Sequence, residues 1–545
     1  MSLLLALMLG LPLVMALLLA VRPFQNHVVR LLALAPLPGL LLALAGGGAP
    51  WAARLPGGWS FELDRPAAMM LAASALIWSA AGACAARWLK TEAGTPRFAL
   101  WWLITLWGSL GVFAAADLAG FYLLYAAASL PAYGMIVWAG GAAERRAGRL
   151  TLAAALLGEA LILAAFVLIA AGAPGQSILI RDGVAALAAS PFRDAVIALL
   201  ILGFGLKIGL VPLHGWMPLS YAAGPLFAAA ALSGATSKAG IIGLIRFLPF
   251  DAAHPQWGMV LLAAGLVSAF YGVAVGLFQT NARSVLAYSS ISQLGQMAAA
   301  LGAGLAVGDA GAAVLVAFYA LYHVLTKGGL FLAMDALAEV DRGPRRTVIM
   351  ATAAIAAMGF AGLPLAGGAM AKLALKPLIG EGAAGLLFTA AAFGSALLMF
   401  HFIRLIGTIE ARRGSGAGSS LSAAAWLFVF GLAMLLPWLL FSDATGLAAS
   451  YALKPGILLD LGWPVAAGLL IGWGALAAGL LAAGPAQGED RTRSDMLAKL
   501  WDMLDRAAPA SVERLIRLEA SSRQWATSAS LLVLVMLALA VLLQQ

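Results

Sequence analysis

The sequence predicts an all-α polytopic membrane protein of about sixteen transmembrane helices. Three observations carry that prediction. The 545-residue chain is 63% hydrophobic and only 10% charged, whereas soluble chains sit near 45–50% apolar and about 25% charged. Its mean hydropathy is +0.96, and so few charges cannot cover a water-facing surface. The apolar residues fall in runs of roughly 20, the length a helix needs to cross a bilayer. The 62 Gly and 24 Pro are spread through those runs. A soluble enzyme, a disordered chain and a collagen-like repeat are thereby excluded.

In chain order, the apolar windows place spans near 3–21, 28–46, 67–86, 99–116, 119–139, 151–171, 195–213, 226–247, 258–278, 285–305, 311–334, 349–375, 383–405, 421–441, 463–483 and 527–543. The first reads as a retained span rather than a cleaved signal peptide. Met1-Ser2 brings no basic residue, and the run continues to Val21.

The net charge is +9, and its distribution is topological. Counted from the N-terminus, the odd connections carry Arg22, Arg30, Arg87, Lys90, Arg97, Arg145, Arg146, Arg149, Arg283, Arg342, Arg345, Arg346, Arg404, Arg412 and Arg413. The last odd connection adds Arg491, Arg493, Lys499, Arg506, Arg514, Arg517 and Arg523. The even connections hold only Arg54, Arg65, Arg181, Arg193, Arg246 and Lys454. Basic residues gather on the cytoplasmic side of a membrane. The odd connections are therefore expected there, with both termini on the periplasmic side of a bacterial-type inner membrane. The positive charge then marks orientation, and no nucleic-acid partner is expected.

Residues 484–526 are neither span nor short loop. Leu500, Met503 and Leu504 recur at helical spacing between Lys499, Asp502, Asp505 and Arg506. This pattern predicts an amphipathic helix on the cytoplasmic face. It either packs on its own protein or docks a partner subunit.

An ionisable residue at bilayer depth is expensive to keep, which makes it a functional candidate. The chain places Glu159, Lys207, Lys238, Lys327, Lys372 and Lys376 in or at the edges of spans, together with His214, His323 and His401. A set spread over several helices suits a proton relay rather than one compact substrate site. Burial tunes lysine toward the working range, and histidine starts near it. Lys376 sits where its side chain can snorkel to the interface, and His401 can simply bond a carbonyl of a neighbouring helix. Lys207 lies in a run broken by Gly203, Gly205, Gly209 and Pro212, and Lys372 follows Gly362, Pro364, Gly367 and Gly368. Irregular backbone at membrane depth is tolerated where it is buried in protein or lines a wet cavity. Pro212 and Pro364 thus mark expected helix breaks, each beside a lysine.

The lone Cys84 sits in an apolar stretch. It gives no disulfide framework, metal cluster or iron–sulfur ligand set. Paired haem histidines and nucleotide loops are also missing from the pattern. No cofactor or metal is expected, and any redox driving force must come from a partner.

Several ordered motifs resemble one family. They are Leu206-Lys207-Ile-Gly-Leu-Val-Pro212-Leu-His214-Gly-Trp216-Met-Pro218 with Gly224-Pro225, Ala231-Leu-Ser233-Gly234 and Lys238-Ala-Gly240-Ile-Ile-Gly243-Leu-Ile-Arg246-Phe247. Arg283-Ser-Val-Leu-Ala287-Tyr288-Ser289-Ser290-Ile-Ser292-Gln293-Leu-Gly295, His323-Val-Leu-Thr-Lys327-Gly-Gly-Leu-Phe331 and Gly362-Leu-Pro364-Leu-Ala-Gly367-Gly368-Ala-Met-Ala-Lys372 follow. Together they resemble the antiporter-like, proton-conducting membrane subunits of respiratory complex I, Mrp-type cation/proton antiporters and membrane-bound hydrogenases, over roughly residues 60–405.

The resemblance implies two inverted five-helix repeats, each with one broken helix, and an ion path along the midplane. The domains expected from it are 1–95 (N-terminal helices), 96–250 and 251–410 (the two repeats), 411–483 (C-terminal helices), 484–526 (the amphipathic segment, resembling a short lateral helix) and 527–545 (the last span). By motif, Lys207 is the central lysine, Lys238 the bridging lysine, His323 and Lys327 the pair on the second repeat, and Lys372 the terminal lysine toward an exit. One position departs. The family's fifth span carries a Glu just after an aromatic, where this chain has Tyr125-Ala126. That Glu pairs with the central lysine, so Glu159 on the next span is the expected substitute.

The functional expectation is a proton-conducting membrane subunit of a multi-subunit ion-translocating complex, resembling the ion-translocating part of an NADH-quinone oxidoreductase-like or hydrogenase-like translocase. Its partners would be other subunits, the lipid bilayer and protons, with Na+ or K+ as alternative ions. Alternatives are the membrane subunit of a two-component inorganic-carbon (bicarbonate/CO2) accumulating complex driven by cation flux, and a cation/proton antiporter subunit. In a different class stands a non-conducting structural scaffold.

Overall fold

The structure is a computed structural model and describes residues 1–46, 51–55, 58–90, 92, 94–411 and 420–478. The expected amphipathic segment 484–526 and the last span lie outside the described residues, as do Arg412 and Arg413.

Helix α1 (Ser2–Leu18) is followed by α2 (Arg22–Arg30) and α3 (Leu37–Gly46). The expected span 28–46 is thus helical only at its start, in the end of α2, and from Leu37 onward. Pro36 and Pro38 lack the donors that would carry a helix through from α2. A small departure from the all-α expectation comes next. Strands β1 (Trp51–Arg54) and β2 (Ser60–Leu63) pair antiparallel, with Trp51 opposite Leu63 and Arg54 opposite Ser60.

Helix α4 (Arg65–Trp88) starts at Asp64, whose Oδ1 accepts from the Ala67 amide at 2.8 Å. Helices α5 (Thr95–Ala114) and α6 (Leu118–Ser129) meet at Asp117. That carboxylate caps α6 through the Gly120 amide and accepts the Ser60 amide from β2, both at 2.7 Å. Pro131 separates α6 from the short α7 (Ala132–Ile136), before α8 (Ala142–Gly172) and α9 (Ile180–Ala186). The expected span 195–213 is helical only to Ile208, as α10 (Arg193–Ile208), and α11 (Trp216–Ala223) follows after a break. Helix α12 (Leu226–Ala231) passes through a π-turn at Leu232–Thr236 into α13 (Lys238–Phe247).

Next come α14 (Pro255–Gly276), α15 (Ala282–Val307) and α16 (Ala312–Leu337). The expected span 349–375 is again two helices, α17 (Pro344–Ala361) and α18 (Gly367–Ile379). Helices α19 (Ala383–Gly407), α20 (Ser420–Thr445) and α21 (Pro455–Ala477) complete the described chain.

The molecule is mostly helical, and ten stretches among the described residues are long and apolar enough to cross a membrane. Helix α15 is not among them, although it runs 26 residues. Ser289, Ser290, Ser292, Gln293 and Gln296 lower its hydropathy and are all buried. It faces other helices rather than lipid. Helix α16 is the central element, packing on α4, α12, α15, α17, α18 and α20. The tightest seam is α14 on α15. Gly258, Gly265 and Gly272 recur every seven residues, and a Cβ on Gly265 would lie 2.5 Å from the Gly295 carbonyl oxygen. Without a hydrophobic force between helices in lipid, such small-residue seams are what allow close association.

Candidate functional site

The first helix break carries Lys207. Helix α10 ends where Gly209 takes φ +69°, a conformation free of strain only for glycine, and Pro212 cannot donate to continue it. The freed groups find new partners. The Trp216 indole N–H donates to the Leu206 carbonyl at 2.9 Å, and the Val211 amide to Ser268 Oγ at 2.9 Å. Lys207, in the last turn, donates from Nζ to Ser129 Oγ at 2.6 Å and lies 5.3 Å above the Tyr125 ring. These groups line a cavity of about 40 Å3 with Trp216, Ser220 and Thr236, space for a few waters.

Glu159 reaches this region from α8. Gly158 and Gly203 let α8 and α10 touch backbone to backbone, since a Cβ on Gly158 would lie 3.2 Å from the Gly203 carbonyl oxygen. The Glu159 side chain is buried, and its Oε1 has no hydrogen-bond partner. It lies within electrostatic range of Lys207. Ala126 is one turn before Ser129 on α6, so a hydroxyl, not a carboxylate, supplies the direct contact to Lys207 from that helix.

Lys238, His323 and Lys327 form a second group around α16. At the π-turn Leu232–Thr236 the Ser233 carbonyl accepts from Ser237 Oγ and from Lys238 Nζ, each at 2.9 Å, and Lys238 Nζ also donates to Ser237 Oγ at 3.1 Å. Single π-turns of this kind recur at functional sites. Lys327 Nζ donates to Ser289 Oγ at 2.8 Å and to the Leu286 carbonyl at 3.1 Å, and lies 4.5 Å from the Phe360 ring centre. His323, one turn earlier on α16, is fully buried with its ring 5.5 Å from that of Phe360. Neither of its ring nitrogens has a partner. It sits within electrostatic range of both lysines.

The second break carries Lys372. Gly362 takes φ +102°, and Leu365, a non-glycine, is held at φ +67° beside Pro364. Lys372 Nζ donates to the Ala361 carbonyl at 3.0 Å, an acceptor freed by the end of α17. Lys372 and Lys376 share a wider cavity of about 350 Å3. There Lys376 Nζ meets Asp460 Oδ2 of α21 at 3.0 Å.

The remaining histidines stand apart. His214 is buried in the first break, edge-on to Tyr271 at 4.7 Å. His401 Nε2 donates to the Gln279 carbonyl at 2.7 Å, and Arg404 donates to its Nδ1 at 3.1 Å. It ties α19 to the end of α14.

Sequence reasoning missed Ser129, Ser289, Gln296, Asp460 and the structural role of Arg246. The Arg246 guanidinium donates to the carbonyls of Phe113 (2.7 Å), Ala115 and Glu62 (3.2 Å), pinning α13 and its Lys238 to the end of α5. Polar residues inside otherwise apolar helices were the available signal. Among the described residues no group of His, Cys, Asp and Glu could hold a metal ion.

Two lysines at helix breaks, with a buried Lys–His–Lys group between them, sit inside a stretch with a recognisable pattern. The model of the NADH:quinone oxidoreductase/Mrp antiporter transmembrane family matches residues 115–400. The chain belongs to that family. The matched stretch contains Glu159, Lys207, Lys238, His323, Lys327 and Lys372; Asp460 lies beyond it.

Within the family, NADH-quinone oxidoreductase subunit N of Desulforudis audaxviator is 30% identical over 419 residues, covering 70% of this chain and 81% of that one. An uncharacterized protein of Mycobacterium tuberculosis is 36% identical over 198 residues, 32% of this chain. The chain spans 30% of that protein's length. A solved Mrp complex from Dietzia sp. shares the fold with a TM-score of 0.69 at 22% identity, covering 99% of this chain and 62% of the matched one. The protein is therefore a multi-pass, antiporter-like member of this membrane family.

Proposed function

We propose that this chain is the proton-conducting membrane subunit of a multi-subunit ion-translocating complex. Protons move near the membrane midplane through Glu159, Lys207, Lys238, His323, Lys327 and Lys372, coupled to the reaction of a partner subunit. The observation that carries this reading is His323. An imidazole buried with both nitrogens unpartnered, within electrostatic range of two buried lysines, is suited to accept a proton on one nitrogen and release it from the other through bridging water.

The lysines support the same reading. Lys238 and Lys327 are held by hydroxyls and carbonyls. A lysine with neutral acceptors can release its proton without stranding a buried carboxylate, which would be costly. Four buried or half-buried lysines, Lys207, Lys238, Lys327 and Lys372, in a chain this poor in charge weigh against a passive scaffold.

The architecture proposed with this function is about sixteen crossings that include two inverted five-helix repeats, about 96–250 and 251–410, each with one broken helix. The breaks at Gly209–Gly215 and Gly362–Ala366, each beside a lysine, support that division. Both termini face outward from a bacterial-type inner membrane, as the basic connections suggest. With Ala126 at the place of the usual acid, the chain is a divergent member. Glu159 acts from α8 while Ser129 holds Lys207. His214, Lys376 and His401 are secondary to the path.

The test is Lys207→Ala in the assembled complex, with proton transfer followed by a pH-sensitive dye in membrane vesicles. Loss of transfer with normal subunit recovery is expected. Unchanged transfer would reject the reading.

A further inference from the structure

The end of α4, the starts of α12 and α15 and the end of α16 surround a cavity of about 580 Å3. A second cavity, of about 690 Å3, lies between α4, α5 and α7. Trp88, Trp138 and Ala139 line both, so the two adjoin. Neither touches a lysine of the proposed proton path. The lining residues stand at the ends of spans, which is the depth of lipid headgroups rather than of acyl chains. They belong to the connections rich in Arg and Lys.

The shared wall is aromatic. The Trp88 ring centre lies 5.2 Å from that of Phe227 and 6.2 Å from that of Trp138. Phe98 braces both tryptophans, at 5.6 and 5.0 Å. Tryptophan settles at the membrane interface because its ring is apolar and its N–H polar. From the second cavity an apolar stripe leads away along α5. Trp101, Ile104 and Trp107 recur there every three residues, half-buried, with Leu100 exposed beside them. A hydrocarbon chain fits such a stripe.

The charges are mixed. The first cavity holds Arg87, Lys90 and Arg283 together with Asp335 and Glu339, and the second adds Arg97 and Glu92. Arg87 pairs with Glu339 at 3.4 Å. Arg283 donates to the Ala222 and Gly224 carbonyls at 3.1 and 3.0 Å, which fixes its guanidinium at the wall. Asp335 is 6% exposed, and Ser422 Oγ of α20 donates to its Oδ2 at 3.2 Å. Lys90 is exposed at the rim. A purely anionic ligand would meet the buried Asp335, and a purely cationic one would meet Lys90 and Arg283. A zwitterion bearing a phosphodiester and a primary ammonium is complementary to both.

We infer that the two cavities form one binding site for a zwitterionic aminophospholipid, of the phosphatidylethanolamine class, from the leaflet on the Arg- and Lys-rich side. Its phosphate meets Lys90 and Arg283, as basic pockets between membrane helices receive lipid phosphates. Its ammonium meets Asp335 and the faces of Trp88 and Phe227, where a carboxylate and ring quadrupoles both favour a cation. Its acyl chain follows the α5 stripe.

The test is photo-cross-linking of the assembled complex in phosphatidylcholine vesicles. The probe is a phosphatidylethanolamine with a diazirine near the top of one acyl chain. Adducts are expected within residues 95–107 or 133–139. Excess unlabelled phosphatidylethanolamine should reduce them several-fold, and the same excess of phosphatidylcholine or phosphatidylglycerol should not. Asp335→Asn and Lys90→Gln should each lower the yield several-fold. If the Asp335→Asn complex is not recovered, Lys90→Gln decides, since an exposed rim side chain is not needed for folding. No adduct in these stretches, or an unchanged yield in the variants, overturns the site. Equal displacement by phosphatidylcholine or by phosphatidylglycerol overturns the headgroup assignment.

Discussion

Gly203→Ala tests how closely α8 must lie on α10 for Glu159 to act on Lys207. A Cβ at this position would stand 2.6 Å from Ile162 Cγ1, 3.1 Å from the Gly158 carbonyl oxygen and 3.3 Å from the Ile162 amide nitrogen. Ordinary contacts between carbon atoms lie at roughly 3.5–4.0 Å, so the first gap is short by about 1 Å. Two of the three obstacles are backbone, and the third is on a β-branched side chain with stiff χ1. Local adjustment is therefore small, and the helices must part. Overpacking of this kind costs about 1–3 kcal/mol, roughly a 5- to 150-fold loss in the folding equilibrium at about 1.4 kcal/mol per tenfold. The separation also carries Glu159 away from Lys207. A displacement near 1 Å between reacting groups can cost on the order of a hundredfold in rate. The assay pairs denaturation of the detergent-solubilised complex with proton transfer in vesicles. Gly474→Ala, with nothing within 4 Å of its Cβ, is the control. If Gly203→Ala matched that control in both measurements, the close seam would have no part in holding the site.

Three further predictions follow from the same geometry. Ser129→Ala removes the acceptor for Lys207 Nζ at 2.6 Å; hydrogen bonds to a charged group contribute about 1.5–3 kcal/mol, and a double-mutant cycle with Lys207→Met should recover a coupling of that size, whereas additivity would place the lysine elsewhere. Glu159→Gln keeps the shape of the buried side chain and removes its charge, so transfer should fall and its pH profile change; an unaltered profile would free Glu159 of any role with Lys207. Gly368→Ala would set a Cβ 1.9 Å from the Gly359 carbonyl oxygen, so the second break should fail to close and little complex should be recovered, and normal recovery would contradict the α17–α18 packing.

The helix breaks were legible because their signals are local. Gly209 and Pro212 lie within five residues of Lys207 in the sequence, and Pro364 and Gly368 stand shortly before Lys372. The family motifs, too, are contiguous. The partners of those lysines were not legible, because they are brought together by packing between distant segments. Ser129 is 78 residues from Lys207, and Asp460 is 84 from Lys376. Glu159 was legible as a lone buried acid, but its nearness to Lys207 depends on the Gly158–Gly203 contact between helices. Helix α15 could be read as a span, yet its serines and glutamines gain meaning only once Lys327 of α16 lies against Ser289. The β1–β2 hairpin was hidden by a strongly apolar background, in which four-residue strands leave no distinct alternation.

The central claim is that protons pass through His323. The most direct measurement is proton transfer in vesicles carrying the assembled complex with His323→Ala, compared with His401→Ala, whose imidazole is tied to the Gln279 carbonyl and Arg404. Transfer should be lost or reduced by at least about tenfold in His323→Ala, as for removal of a positioned proton-transfer group, and largely kept in His401→Ala. Full transfer in His323→Ala, with the complex intact, would contradict the account.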